Sequence, residues 1–301
     1  LRYLAEYGLI KITAGLLSVI PLSVSATLVR WGASAILLFL FKRRKIAYDN
    51  LTRVFGDSLT PRQKKKLMRV SFQNTAVSLL ELFLVGKIKK RAKDLFDVSG
   101  YHHLEEVFAK GRGVILVISH LGSWELLAFL PFLRKEKWSV VVKAVKNPYL
   151  NKAIDQLRRQ MTVVPISKVG SIKTVLGELK NNNGVAILID QWAGGEGLWM
   201  DFFGEPTSTT SIPARLAKQT GCALVPAYCF RKTLGRYELS ISPPIELSGE
   251  SRKSEEQITG ELNRLLETQI LKHPDQWSWM HRRWKPKPSY SRSAPDDGGP
   301  R

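Results

Sequence analysis

The sequence predicts an α/β fold, a mixed sheet flanked by helices, preceded by a hydrophobic helical segment that anchors the chain to a membrane. Three observations predict it. Short apolar runs alternate with stretches of helical length across the middle of the chain, which is the rhythm of βα units. Two of these runs, Val114 to Ile118 and Val185 to Ile189, are unbroken apolar pentads ending at polar residues, as in strands buried on both faces. Near the amino terminus, Ile12 to Val29 is 18 residues without a charge, about 27 Å of helix and close to a hydrocarbon thickness.

The uncharged run carries Pro21 and five Ser/Thr, and after Arg30 another 11 uncharged residues reach Phe41. A spanning helix, a re-entrant pair and a helix lying in the interface all fit it. Basic clusters follow at Lys42 to Lys45, Lys64 to Lys66 and Lys89 to Arg91. From Lys42 to Lys93 there are 15 Lys/Arg and 3 Asp/Glu, a net of +12 out of +20 for the whole chain. Cations behind an apolar segment point to an anionic lipid surface and a cytoplasmic location. The sequence has no zinc-finger spacing and no aromatic RNA-recognition signature, so nucleic acid is not an expected partner.

Residues 48 to 93 read as helical, with Thr60-Pro61 a helix start. Phe96 to Gly100 is an expected strand and Leu104 to Ala109 a helix. Gly111-Arg112-Gly113 then turns into the Val114 strand. Strands are expected at Trp138 to Val145, Val163 to Ile166 and Val185 to Ile189, with helices at Leu150 to Gln160 and Ile172 to Lys180 between them. After a glycine-rich loop at Gly194 to Gly197, a helix starts near Ser211 and stops at Gly221. Ala223 to Arg231 and Arg236 to Ile241 pair through Gly235, and Lys253 to Lys272 is a long helix. The expected domains are an anchor and basic flank over 1–45, an α/β domain over 46–285 and a disordered tail over 286–301, rich in Pro, Ser, Gly and charge. Cys222 and Cys229 lack metal-ligand spacing and are expected as core thiols. No metal site is expected.

The chemistry concentrates in Ser119-His120-Leu121-Gly122-Ser123-Trp124-Glu125. His120 falls at the carboxyl end of a buried strand, where open α/β sheets build their sites. Glu125 falls in the first turn of an expected helix. On one continuous helix the two side chains would diverge by about 140°, but across a strand-turn-helix junction they converge. A histidine oriented by a carboxylate is a general base able to take a proton from an alcohol. The backbone N–H groups of Gly122 and Ser123 are candidate oxyanion donors. Ser119 is discounted as a nucleophile because the Gly-x-Ser-x-Gly elbow is absent. Asp190 follows its own apolar strand as His120 does, which predicts that both face one crevice.

These residues carry a resemblance. His120-x-x-x-x-Glu125 resembles the His-x4-Asp/Glu box of the glycerolipid and lysophospholipid acyltransferases. Three further stretches resemble the bacterial late lipid A acyltransferases: Ile189-Asp190-Gln191; Phe202-Phe203-Gly204 with Thr207 to Thr210; and His273-Pro274-Asp275-Gln276-Trp277 through Arg282, Arg283 and Trp284. The resemblance covers roughly Leu4 to Pro288. It implies transfer of a fatty acyl chain from an acyl carrier protein thioester to a hydroxyl of an acylated lipid A precursor, at the cytoplasmic face of a bacterial inner membrane. It also implies that Asp190 is a carboxylate needed for activity and that an arginine belongs to the site, with Arg158 the best match and the adjacent Arg159 a second candidate. No cofactor is implied, since an acyl-carrier-protein or coenzyme A thioester is a co-substrate. The expected partners are acyl carrier protein, the lipid A precursor and anionic inner-membrane lipid. Arg282 and Arg283 are candidates for bidentate contacts with their anionic groups, and Trp277, Trp279 and Trp284 for the lipid interface, with core packing an equal expectation for Trp279. The alternatives are an acyltransferase for another glycolipid or phospholipid, such as a phosphatidylinositol mannoside, using coenzyme A, and a non-catalytic basic protein that binds membranes or nucleic acid.

Overall fold

Pro21 divides the uncharged amino-terminal run between two helices, α1 (Arg2–Val19) and α2 (Leu22–Phe39). A computed structural model of the chain describes residues 1–132, 136–247 and 253–287; the expected tail falls outside them from residue 288 onward. α2 is long and apolar enough to cross a membrane. It buries Ser25, Ala26, Ala33 and Leu37, while Val24, Leu28, Trp31, Leu38 and Phe39 are exposed. α3 (Phe41–Phe55) carries the first basic cluster and ends at Gly56, whose φ of 47° interrupts the expected helical stretch.

α4 (Pro61–Phe83) starts at the predicted point, where Thr60 and Gln63 form a reciprocal capping box. It packs along α2, with Arg30 Nη2 donating to Asn74 Oδ1 at 2.9 Å and Gln73 Nε2 donating to Ser34 Oγ at 2.7 Å. Two short helices follow, α5 (Val85–Lys89) and α6 (Ala92–Leu95). The α/β part then runs β1 (Phe96–Ser99), α7 (Tyr101–Ala109), β2 (Val114–Ile118), β3 (Trp138–Val142), α8 (Pro148–Gln160), β4 (Val163–Ser167), α9 (Ser171–Lys180) and β5 (Gly184–Leu188). It continues with β6 (Leu198–Phe202), β7 (Glu205–Thr209), α10 (Ile212–Thr220), β8 (Ala223–Thr233), β9 (Arg236–Ile241) and α11 (Glu255–Lys272).

Seven strands form one mixed sheet in the order β1-β9-β8-β2-β5-β3-β4. β8, β2, β5, β3 and β4 are mutually parallel, and β9 joins β8 as the predicted antiparallel pair. All five β2 residues are buried. Ile115 and Val117 enter one apolar cluster and Val114, Leu116 and Ile118 the other, one on each face, as the period of two requires. Cys222 and Cys229 are buried free thiols, as expected.

Two elements depart from expectation. Trp124–Phe132 is a 3₁₀ segment rather than an α-helix. Leu126 N–H bonds back to Ser123 O at 2.9 Å, closing a tighter turn, and Pro131 lacks the donor an α-turn needs. The stretch between the glycine loop and α10 holds an unanticipated hairpin, β6–β7. Its two-residue turn, Phe203-Gly204, has φ of 56° and 73°, the positive values a type I′ turn demands.

The turn that follows β2 is clamped from several sides. Gly122 N–H donates to Gln276 O at 2.9 Å and Ser123 N–H to Cys229 O at 2.7 Å. Ser78 Oγ donates to Gly122 O at 2.8 Å and Arg231 Nη2 to Ser123 Oγ at 2.8 Å. Arg231 is in turn held by Glu81 through two bonds of 2.8 Å, with side chains only 2% and 1% exposed. Removing one partner strands a buried charge. Glu81→Ala should therefore cost about 3–5 kcal/mol of stability, read as a lowered denaturant midpoint; a loss under about 1 kcal/mol would refute this role.

Candidate active site

The two strand-end polar residues meet because β2 and β5 are parallel neighbours in register. Ile118 pairs with Leu188, so His120 and Asp190, each two residues beyond, stand side by side. His120 Nδ1 lies 2.9 Å from Asp190 Oδ1. Asp190 Oδ2 accepts from His120 N–H at 3.0 Å and from Trp277 Nε1 at 2.9 Å. Burial by itself raises the Asp190 pKa, but the imidazole and the two N–H donors outweigh it and bring it down to about 2. Burial likewise opposes the imidazolium, yet the charge and hydrogen bond of Asp190, with a smaller contribution from Glu125, move His120 above its ordinary value.

An ionised Asp190 makes Nδ1 the protonated nitrogen, leaving Nε2 as the basic one. Nε2 has the Gln191 amide nitrogen at 3.3 Å, a donor that an incoming hydroxyl can displace. The His120 side chain is 24% exposed and lines a cleft of about 580 Å³. Val141, Ile172, Val175 and Ile187 contribute apolar lining, and Lys143, Arg158, Lys168 and Lys285 contribute basic lining. His281 also lines the cleft, accepts from Trp192 N–H at 3.1 Å, and is pushed down to about 4, chiefly by burial; it is neutral at neutral pH.

Glu125 lies in the same cleft, but its carboxylate is engaged elsewhere. Arg158 grips it bidentately, Nη2 to Oε1 at 2.7 Å and Nε to Oε2 at 3.2 Å. The expectation that Glu125 orients His120 is thus corrected: Asp190 makes the bond to Nδ1, and Glu125 positions Arg158. Behind that ion pair is an apolar slot of about 40 Å³ ending at Trp138, room for no more than a few waters. The two adjacent arginines point to different places. Arg158 lines the cleft, and exposed Arg159 faces a separate surface groove.

Other expected site residues are placed differently. The N–H groups of Gly122 and Ser123 are consumed by backbone carbonyls, and Ser123 is 1% exposed, so neither is an oxyanion donor here. A Cβ at Gly122 would meet Cys229 O at 2.1 Å, which explains the glycine by close packing rather than chemistry. Arg283 is wholly buried and bonds Ser208 O at 2.5 Å and Thr209 Oγ1 at 2.6 Å; it ties the hairpin to the domain and meets no substrate anion. Arg282 is exposed and does not line the cleft. Trp277 and Trp279 are buried rather than interfacial, and Trp284 is partly buried against the core. Trp277 is the residue whose role the sequence concealed, because its indole N–H is an Asp190 donor. One group, His102, His103 and Glu106 on α7, has three potential metal ligands within 4.8 Å among the described residues; none lines the cleft.

A general base works only when deprotonated, so the acid limb of kcat/KM should lie above pH 6.5. Asp190→Asn should lower the rate and move that limb to lower pH, because the raising influence is lost. Glu125→Gln should move it less, as Glu125 contributes the smaller influence. A pH–rate series with all three enzymes checks this, and a larger shift from Glu125→Gln than from Asp190→Asn would contradict the assignment.

Residues 1–286 match the family model described as bacterial lipid A biosynthesis acyltransferase. The chain is similar to a phosphatidylinositol mannoside acyltransferase of Mycobacterium tuberculosis, 28% identical over 81% of this chain and 78% of that protein. It is also similar to two Escherichia coli proteins. The lipid A biosynthesis palmitoleoyltransferase is 26% identical over 83% of this chain and 81% of its own. The lipid A biosynthesis lauroyltransferase is 27% identical over 84% and 82%. With a family match over nearly its whole length, the chain belongs to the bacterial lipid A biosynthesis acyltransferase family and is a membrane-associated O-acyltransferase.

Proposed function

We propose that this enzyme transfers a fatty acyl chain from an acyl carrier protein thioester to a hydroxyl of an acylated lipid A precursor, at the cytoplasmic face of a bacterial inner membrane. The observation that carries the reading is His120 Nε2, met only by the displaceable Gln191 amide, in a cleft lined by apolar and basic side chains. An alcohol attacks a thioester slowly unless its proton leaves as the new bond forms. The acceptor oxygen attacks the thioester carbon while its proton passes to His120 Nε2, and Asp190 stabilises the imidazolium. The tetrahedral oxyanion needs positive charge or donors nearby. Arg158 lines the cleft with Nε and Nη2 bonded to Glu125 and Nη1 3.6 Å from Asp155, so what it offers the oxyanion is the positive charge of the guanidinium. The C–S bond then breaks and His120 returns the proton to the departing thiolate. The remaining cations of the lining attract a phosphorylated glycolipid and the acidic carrier.

A second reading takes a phosphatidylinositol mannoside as acceptor and coenzyme A as donor carrier. The similarity to a relative of that name favours it. Membranes containing the enzyme, assayed with both donors and both acceptors and analysed by mass spectrometry, separate the two. Acyl addition to the lipid A precursor from the carrier protein alone is the expected result, and addition only to the mannoside would replace the first reading with the second. His120→Ala should lose about 10²–10⁴ in rate with acceptor binding retained; undiminished turnover would overturn both.

A further inference from the structure

At the elbow between α1 and α2 the surface opens into a cavity of about 290 Å³, remote from the catalytic cleft in its lining. Its apolar part is Leu22, Ile88, Leu95 and Leu234. Lys87, Arg91 and Arg236 border it, and none of the lining residues is acidic. Lys87 Nζ donates to the main-chain carbonyls of Ser18, at 3.1 Å, and Ile20, and Arg236 Nη1 to the carbonyl of Asp94. Among the described residues, no carboxylate forms a salt bridge with any of the three. Three uncompensated cations sharing one cavity repel each other, so an anion there lowers the energy of the folded protein.

The surroundings identify the kind of anion. Leu16 and Val19 at the end of α1, and Val24 and Leu28 at the start of α2, are exposed beside the elbow. A soluble phosphate would use the cations and leave those side chains in water. A lipid uses both, placing a negatively charged head among the guanidinium and ammonium groups and its chains along the helices. We infer that the α1–α2 elbow is a binding site for the phosphate headgroup of an anionic membrane lipid, separate from the acceptor and donor sites.

Vesicle flotation of the full chain tests this with phosphatidylcholine alone and with added phosphatidylglycerol. The Arg91→Gln/Arg236→Gln variant should lose about tenfold or more of its partitioning onto phosphatidylglycerol vesicles. Lys90→Gln/Lys93→Gln removes the same charge from exposed positions outside the cavity and should lose about threefold or less. Equal losses from both pairs would mean a diffuse basic face and no site, and full retention by the first pair would also overturn the inference. Displacement of the protein from vesicles by inorganic phosphate, at a salt concentration matched with chloride, would reassign the site to a soluble anion. Arg91→Glu, at a side chain that makes no hydrogen bond or ion pair among the described residues, repeats the measurement if the Arg236 change lowers the thermal midpoint. His120→Ala should float like the unaltered protein, so failure here and failure of the acyl-transfer reading are told apart.

Discussion

The buried ion pair between Glu81 and Arg231 is the interaction on which the catalytic geometry depends. Two charges taken out of water are a poor source of net stability, and well-packed apolar residues would hold the domain as firmly. What the pair provides is direction. The Arg231 guanidinium extends past Glu81 to Ser78, Ser123 and Asn74, while its backbone exchanges bonds with the Gln276 side chain. Tyr237 closes the other side with an O–H donated to Glu81 at 2.8 Å, and burial beside that carboxylate pushes the phenol far above its ordinary value. Each donor in this network lacks an alternative partner in water, so the turn after β2 has one arrangement rather than several.

That rigidity decides which carboxylate serves the histidine. With Gly122 and Ser123 pinned, the orientation of the 3₁₀ segment is fixed and Glu125 is delivered to Arg158 on α8. Asp190 arrives from β5, whose register with β2 is set by the backbone ladder itself. A base oriented by a ladder-fixed residue is held more firmly than one oriented by a residue five positions along a turn. The division also keeps two charges apart in function. In the proposed mechanism Asp190 supports the cation that forms on the imidazole, while Glu125 restrains the Arg158 guanidinium assigned to the oxyanion.

Much of this was legible in the sequence, and the failures share a cause. The apolar pentads that lead into Ser119-His120 and into Asp190 reveal both residues and their common crevice, because strand burial and strand ends are local signals. Choosing between Asp190 and Glu125 required the sheet order, with β5 inserted between β2 and β3, which no local pattern encodes. Arg283 looked like an anion clamp because two arginines stood in a row near tryptophans. Its burial follows from the Ser208 carbonyl and the Thr209 hydroxyl of β7, in a hairpin whose Phe203-Gly204 turn lacks the usual Asn-Gly signal. Trp277 was conspicuous but misplaced for the same reason, since an indole seeking a partner fits an interface or a buried carboxylate equally well. Side-chain type was readable throughout; the partner, when it came from a distant strand, was not.

Asn74 joins the membrane-facing part of the protein to the catalytic part. Its Oδ1 accepts from Arg30 on α2 at 2.9 Å and from Arg231 at 3.3 Å, and its Nδ2 donates to Asp275 O at 2.8 Å, one residue before Gln276. An arginine midway along an apolar helix is expensive in hydrocarbon unless it has a partner, and this one has a partner in the domain itself. α4, packed along α2, carries exposed Lys65, Lys66 and Arg69. Threading α2 across a bilayer would carry those charges toward the membrane interior. Laying it in the interface leaves them in water and turns Val24, Leu28 and Trp31 toward the acyl chains. The physical demands of α2 and α4 are then met together.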